Sequence, residues 1–167
     1  MPSIELHAAQ RDELETIENL MQFYAHDFSE WLPLKLGDQG FFNLQPLTDY
    51  WRKPETRPFL IRVDGELAGF VTLDDDTHLP DTRYNIGYLF VSRRFRGKGV
   101  AKTTVATLLS RFPGQWQIFH LEVNRSARRF WAAVMPELCP GGFSRHRQTI
   151  EGHPCILYRF EVLPGQS

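Results

Sequence analysis

The chain has 167 residues, 19 Lys and Arg against 20 Asp and Glu, and a net charge of −1, which fits one domain and excludes a general nucleic-acid binder. An apolar share of 42% supports a folded core, while MPSIELHAAQ carries no apolar leader and no stretch is long enough to span a bilayer. Only Cys139 and Cys155 occur, without CxxC or Cys/His metal spacing, so the reading is a single domain over residues 1–167, reduced, cytoplasmic, off the membrane and without metal.

Ser3 to His7 alternates weakly as a first strand. Asp12 with Glu15 reads as a capping box, and Leu14, Ile17, Leu20, Met21, Tyr24 and Phe28 then trace the apolar face of a helix. Residues 27–51 mix the acids Asp27, Glu30, Asp38 and Asp49 with six aromatic residues and the breakers Pro33, Gly37, Gly40 and Pro46. Such a segment suits an apolar substrate body carrying an amine; a loop whose aromatics pack on the core is an equal alternative. Residues 57–74 give the clearest hairpin, PFLIRV and ELAGFVTL around Asp64-Gly65. Asp74-Asp75-Asp76 reads as a solvated turn, because consecutive acids in one turn are more often surface than metal ligands.

Tyr84 to Val91 is an apolar strand, followed by the basic turn SRRFRGKG. Ala101, Thr104, Val105, Leu108, Leu109 and Phe112 then recur at helical spacing until Pro113-Gly114. Trp116 to Val123 is a strand that the right-handed crossover rule makes parallel to Tyr84–Val91. Asn124 is an N-cap for a helix carrying Ala127, Phe130, Trp131 and Val134 on one face, broken at Pro136. Residues 143–151 and 155–162 alternate as a closing hairpin around Gly152.

Residues 84–112 carry the chemistry. A strand, a glycine turn and a helix bring unpaired backbone N–H groups and the positive end of the helix dipole together, which binds phosphates. Arg93, Arg94, Arg96, Lys98 and Lys102 surround that point, and Gly97 and Gly99 leave room for close approach. Two phosphate motifs fail. The dinucleotide pattern G-x-G-x-x-G has Lys102 in its third glycine position, and the nucleotide P-loop has Arg96 and Ala101 where glycines belong.

The run Val91 to Ala101 resembles the acyl-CoA signature of the GNAT superfamily of N-acyltransferases, R-x-x-G-x-G/A, here Arg96, Gly99 and Ala101. The register Arg94, Gly97, Gly99 also satisfies it. Asn124-x-x-Ala127 followed by Phe130-Trp131 resembles the family's next element, and FPGQW at 112–116 is similar to a bacterial subgroup of uncharacterised predicted acetyltransferases. The resemblance implies an α/β chain with a mixed central sheet, splayed parallel strands and flanking helices. It implies acetyl-CoA as cosubstrate, its pantetheine arm on Leu89, Phe90 and Val91. The pyrophosphate would lie on Gly97, Lys98, Gly99, Val100 and Ala101, with Arg96 and Lys102 beside it. Asn124 and Trp131 would flank the arm. For proton transfer it implies Glu122 as base in a partly apolar cleft, its pKa raised, with His120 on the same side behind it. Trp131 stands where relatives carry an acidic tyrosine, which leaves Tyr88, another tyrosine or water for that task. The activity implied is acetyl transfer to a primary amine, of a small molecule rather than a protein, with no nucleic acid or membrane partner and a homodimer left open. The alternative is an acyl-CoA-binding module with weak or no chemistry.

Overall fold

The computed structural model describes residues 1–165. The strands β1 (Ile4–Ala8), β2 (Arg57–Val63), β3 (Glu66–Asp74), β4 (Tyr84–Val91), β5 (Gly114–Leu121), β6 (Ser144–Ile150) and β7 (His153–Val162) form one sheet. Their spatial order is β1-β2-β3-β4-β5-β7-β6. β4 and β5 run parallel, and the other neighbours pair antiparallel. This is the mixed α/β architecture and element order that the sequence predicts. No helix among the described residues is long and apolar enough to cross a membrane.

Helices cover both faces, so the central strands are apolar on both sides. On one face α2 (Val100–Arg111) and α3 (Arg125–Leu138) bring Val105, Leu108, Trp131, Val134 and Met135 against Ile61, Val71, Trp116 and Ile118. On the other, α1 (Leu14–Phe28) sets Ile17, Leu20 and Met21 against Leu60, Phe70 and Phe90. Both hairpin turns need left-handed backbone at two successive positions, supplied by Asp64 (φ 50°) with Gly65 (φ 81°) and by Glu151 (φ 51°) with Gly152 (φ 81°).

Three local expectations change. The reciprocal contact at the start of the first helical segment involves Gln10, whose N–H donates to Glu13 Oε1 at 3.0 Å, rather than Asp12 and Glu15. Pro136 does not break α3; it lies inside the helix, and the Cys139 N–H donates to the Met135 carbonyl at 2.9 Å. A proline there forfeits one backbone bond near the helix end, which burial of Trp131, Val134 and Met135 outweighs. Asp75 and Asp76 are exposed as expected, but Asp74 is not in the turn: it ends β3 and is half-buried.

Candidate active site

The site begins with a defect in β4. Val71 faces Leu89 and Leu73 faces Ile86, so Thr72 alone opposes both Gly87 and Tyr88. The extra residue is a β-bulge, which bends its strand and sharpens its twist. It also switches the strand's facing pattern: Tyr84, Ile86, Leu89 and Val91 pack toward α2 and α3, while Tyr88 and Phe90 pack toward α1. The Thr72 hydroxyl accepts from the Tyr88 N–H at 2.8 Å and so satisfies the displaced donor.

Next to the bulge the parallel pairing stops. β4 meets β5 only at Tyr84–Trp116 and Asn85–Gln117. A buried polar lock holds the closed end: Gln117 Nε2 donates to Asn85 Oδ1 at 3.3 Å, and Gln117 Oε1 accepts from the N–H groups of His78 (2.6 Å) and Leu79 (2.9 Å). Gln117 is fully buried, so these bonds are needed to offset desolvation of its amide. Beyond the lock the strands diverge, leaving backbone edges of β4 and β5 that a ligand rich in amides can pair with.

The turn after β4 faces the open end. Gly97 (φ 75°) and Gly99 (φ 76°) are left-handed, and a Cβ added to either would meet nothing within 4 Å. The Thr103 N–H is the first to bond back, to the Gly99 carbonyl at 3.0 Å, so the preceding amides of α2 have no intrahelical acceptor. With the dipole of α2 behind them, these groups fit a pyrophosphate.

A cleft of about 540 Å³ runs from this turn through the gap. Ile86, Gly87, Leu89, Phe90 and Val91 line it from β4, and Ile118, Phe119, His120 and Leu121 from β5. Asn124, Ala127, Phe130 and Trp131 close one side, while Tyr24, Asp27, Phe28, Glu30 and Trp31 close the other. Its size and largely apolar walls suit an extended cofactor arm together with a small acceptor. Across the mouth, the Arg125 guanidinium lies 5.6 Å from the Trp31 ring centroid, joining α3 to the segment after α1.

Several expected site residues lie elsewhere or face other partners. Glu122 follows the end of β5, is outside the cleft lining, and accepts from Arg147 Nε (3.2 Å) and Nη2 (3.0 Å) of β6. Those bonds hold its carboxyl below the usual range, the opposite of the raised value expected in an apolar cleft. His120 does line the cleft, on the α3 side of the sheet, the same face that carries Ile156 and Arg147, so it shares a side with Glu122 as expected while only His120 reaches the cleft. Its Nδ1 sits 2.8 Å from the Leu121 carbonyl, its Nε2 is buried without a partner, and burial lowers its pKa. Tyr88 packs on the α1 side, edge-on to Tyr24 at 5.1 Å, outside the cleft lining. Burial raises the pKa of its hydroxyl.

Two of the expected cations, Arg96 and Lys102, are engaged by carboxylates. Arg96 donates from Nε to the Val91 carbonyl (2.7 Å) and from Nη2 to Asp27 (2.6 Å), rather than standing free for phosphate. Lys102 is paired with Glu137 of α3. Lys98 stays near the glycine turn, 5.9 Å from the Phe95 ring. Asn124 caps α3 through Oδ1, which accepts from the Ala127 N–H at 3.0 Å while the residue lines the cleft. Of the acids read as a cation trap, Asp27 is taken up by Arg96 and Arg93, and Asp49 by Arg52. Glu30 remains at the cleft.

Sequence reading missed a second polar group, set against the bulge from the α1 side. A Cβ on Gly87 would overlap Asp74 Oδ2 and come within 2.9 Å of Thr72 Oγ1 and 3.1 Å of the Tyr50 hydroxyl. Asp74 Oδ1 accepts from Asn85 Nδ2 (2.8 Å) and the Asp76 N–H (3.1 Å). Burial raises its pKa to about 6. The available signal was a glycine inside a strand, which marks a bulge or a close approach.

Known proteins share this fold. A family model described as Acetyltransferase (GNAT) family matches residues 17–135. No curated protein matches in sequence. An acetyltransferase from Thermus thermophilus superposes with a TM-score of 0.66 at 14% identity, over 96% of this chain and 97% of that one. A Bacillus anthracis str. Ames protein, assigned as a streptothricin acetyltransferase and solved with acetyl coenzyme A, gives 0.60 at 12% identity over 95% and 97%. The spermidine/spermine N-acetyltransferase SpeG from Vibrio cholerae gives 0.59 at 14% identity over 95% and 92%. At these identities the likeness is one of fold.

Proposed function

The chain belongs to the acetyltransferase (GNAT) family, whose cosubstrate is acetyl-CoA, and from that premise we propose that it acetylates the primary amine of a small molecule by direct attack. The observation that carries this reading is the gap between β4 and β5, which opens after two residue pairs beside the glycine turn of α2. The free amides from Gly97 to Lys102 fit the pyrophosphate, and the exposed edge of Leu89, Phe90 and Val91 fits the amides of pantetheine. Asn124 and Trp131 border the same channel. Bound there, acetyl-CoA supplies an activated thioester, and a strand N–H aimed at its carbonyl oxygen would stabilise the oxyanion that forms on attack.

A small acceptor is favoured because the α1 side of the cleft is walled by Tyr24, Phe28 and Trp31, with the Glu30 carboxylate among the lining residues beside them. Polyamines, the substrates named for the Vibrio cholerae neighbour, therefore head a panel that also holds amino sugars, amino acids and lysine peptides. The test is release of free CoA from acetyl-CoA across that panel. Turnover with a small amine supports the reading, and turnover only with peptides overturns its acceptor class. The second reading, an acyl-CoA-binding module, is favoured by Trp131, whose indole lines the cleft but offers no proton at neutral pH. Acetyl-CoA binding without release of CoA to any amine selects that reading.

A further inference from the structure

We propose that Asp74 is the group that takes the proton from the incoming amine, reaching it over the bare Cα of Gly87. The inference rests on the acetyltransferase reading and adds the base that Glu122 does not supply. The two sides of the sheet have different tasks. The pyrophosphate site is at the start of α2, on the face shared by α2 and α3, so the cofactor arm fills the gap from that side. The α1 side is left for the amine, and the polar group on that side of the bulge is Asp74 with Tyr50, Thr72 and Tyr88.

None of these four side chains lines the cleft, and Gly87 is what connects the group to it. It lines the cleft itself, and any side chain on it would collide with Asp74 Oδ2. The missing Cβ therefore leaves the carboxylate in contact with one of the two β4 residues that form the bulge. Asp74 Oδ1 is engaged by Asn85 and the Asp76 N–H, which fixes the carboxylate, while Oδ2 has only the Tyr50 hydroxyl at 3.5 Å. A lone pair on Oδ2 is thus available to a new donor.

The charges around it favour a cation. Asp75 and Asp76 follow on the same strand end, Tyr50 faces it from the turn at 48–51, and Asn85 and Tyr88 face it from β4. Tyr24 of α1 packs on Tyr88. Lys53, from the segment after that turn, is drawn away to Asp75 at 2.9 Å. No cation among these groups neutralises Asp74, so an ammonium ion arriving at Gly87 would meet an uncompensated carboxylate.

The step balances without another reactant. Asp74 takes one proton from R–NH₃⁺, and the freed nitrogen lone pair forms the N–C bond at the thioester carbonyl. The tetrahedral adduct collapses with cleavage of the C–S bond, the sulfur leaving with the electron pair. The second nitrogen proton goes to the thiolate, giving the amide and CoA–SH, and Asp74 returns its proton to solvent.

The test is the pH dependence of kcat/KM in the full chain and in Asp74→Asn, which keeps the shape and the Oδ1 acceptor. With an aliphatic amine the wild type should show a limb rising through about pH 6. Asp74→Asn should lose that limb and about 100-fold in kcat, with KM for acetyl-CoA unchanged. With an amine already neutral at the assay pH the loss should shrink to about tenfold or less, because there is no proton to remove before attack. An active wild type whose limb and rate survive in Asp74→Asn overturns the assignment of Asp74 alone. A wild type that binds acetyl-CoA yet acetylates no amine overturns the acetyltransferase reading and this inference with it.

Discussion

Arg96 of the glycine turn donates to Asp27 near the end of α1 at 2.6 Å, while its Nε holds the Val91 carbonyl at 2.7 Å. One guanidinium thus ties the last residue of β4 to the helix on the opposite face, across the open end of the gap. Both partners are partly exposed, so the ion pair alone is weak and screened by salt. Arg96→Ala should cost about 1 kcal/mol and lower Tm by roughly 2–4 °C. Its larger effect should be about a tenfold rise in Kd for acetyl-CoA, because the turn loses its anchor. Thermal unfolding and calorimetry on one preparation measure both.

Gly99, the N-cap of α2, has φ 76° and open space where a side chain would stand. Gly99→Glu adds backbone strain and a negative charge at the amides proposed to hold the pyrophosphate, so acetyl-CoA should bind more than about tenfold weaker. Gly99→Asn is the control. Asparagine tolerates left-handed backbone and carries no charge, so it should retain most of the affinity in the same calorimetric titration.

Glu122 is bound by Arg147 outside the cleft, and its lowered pKa keeps it ionised throughout the neutral range. Glu122→Gln should therefore leave kcat/KM within about twofold and the shape of its pH profile unaltered, since surface pairs contribute little. Steady-state rates from about pH 5.5 to 9 check this, and a flattened acidic limb would restore Glu122 as the base.

Asp74 should stabilise the fold in acid and weaken it at neutral pH. Folding raises its pKa from 3.8 to about 6, so the favourable contribution is full below about pH 4 and is lost as pH rises through about 6. Two pK units correspond to about 3 kcal/mol at most, and the solvent at its rim lowers the expectation to about 1–2 kcal/mol. Asp74→Asn should accordingly be more stable than the wild type at about pH 7.5, with the difference closing toward about pH 3. Urea unfolding at the two pH values reads the sign directly.

Local order and element sequence were written in the chain. Alternation, helical spacing, Asp64-Gly65 and the SRRFRGKG turn fixed the strands, helices and hairpins, because those signals act between neighbours a few residues apart. Tertiary structure decided the partners of each charge and the side of the sheet each group serves. Nothing within WQIFHLEV says that Arg147, 25 residues on, captures Glu122, nor does the Asp74-Asp75-Asp76 run say that its first member packs half-buried against Gly87. A one-residue bulge at Gly87-Tyr88 reassigns every later side chain of β4 to a face, and a salt bridge forms wherever packing brings opposite charges together. The sequence therefore determined where the glycine turn and the start of its helix lie, while the folded sheet determined which carboxylate packs on Gly87 and which is spent on an arginine.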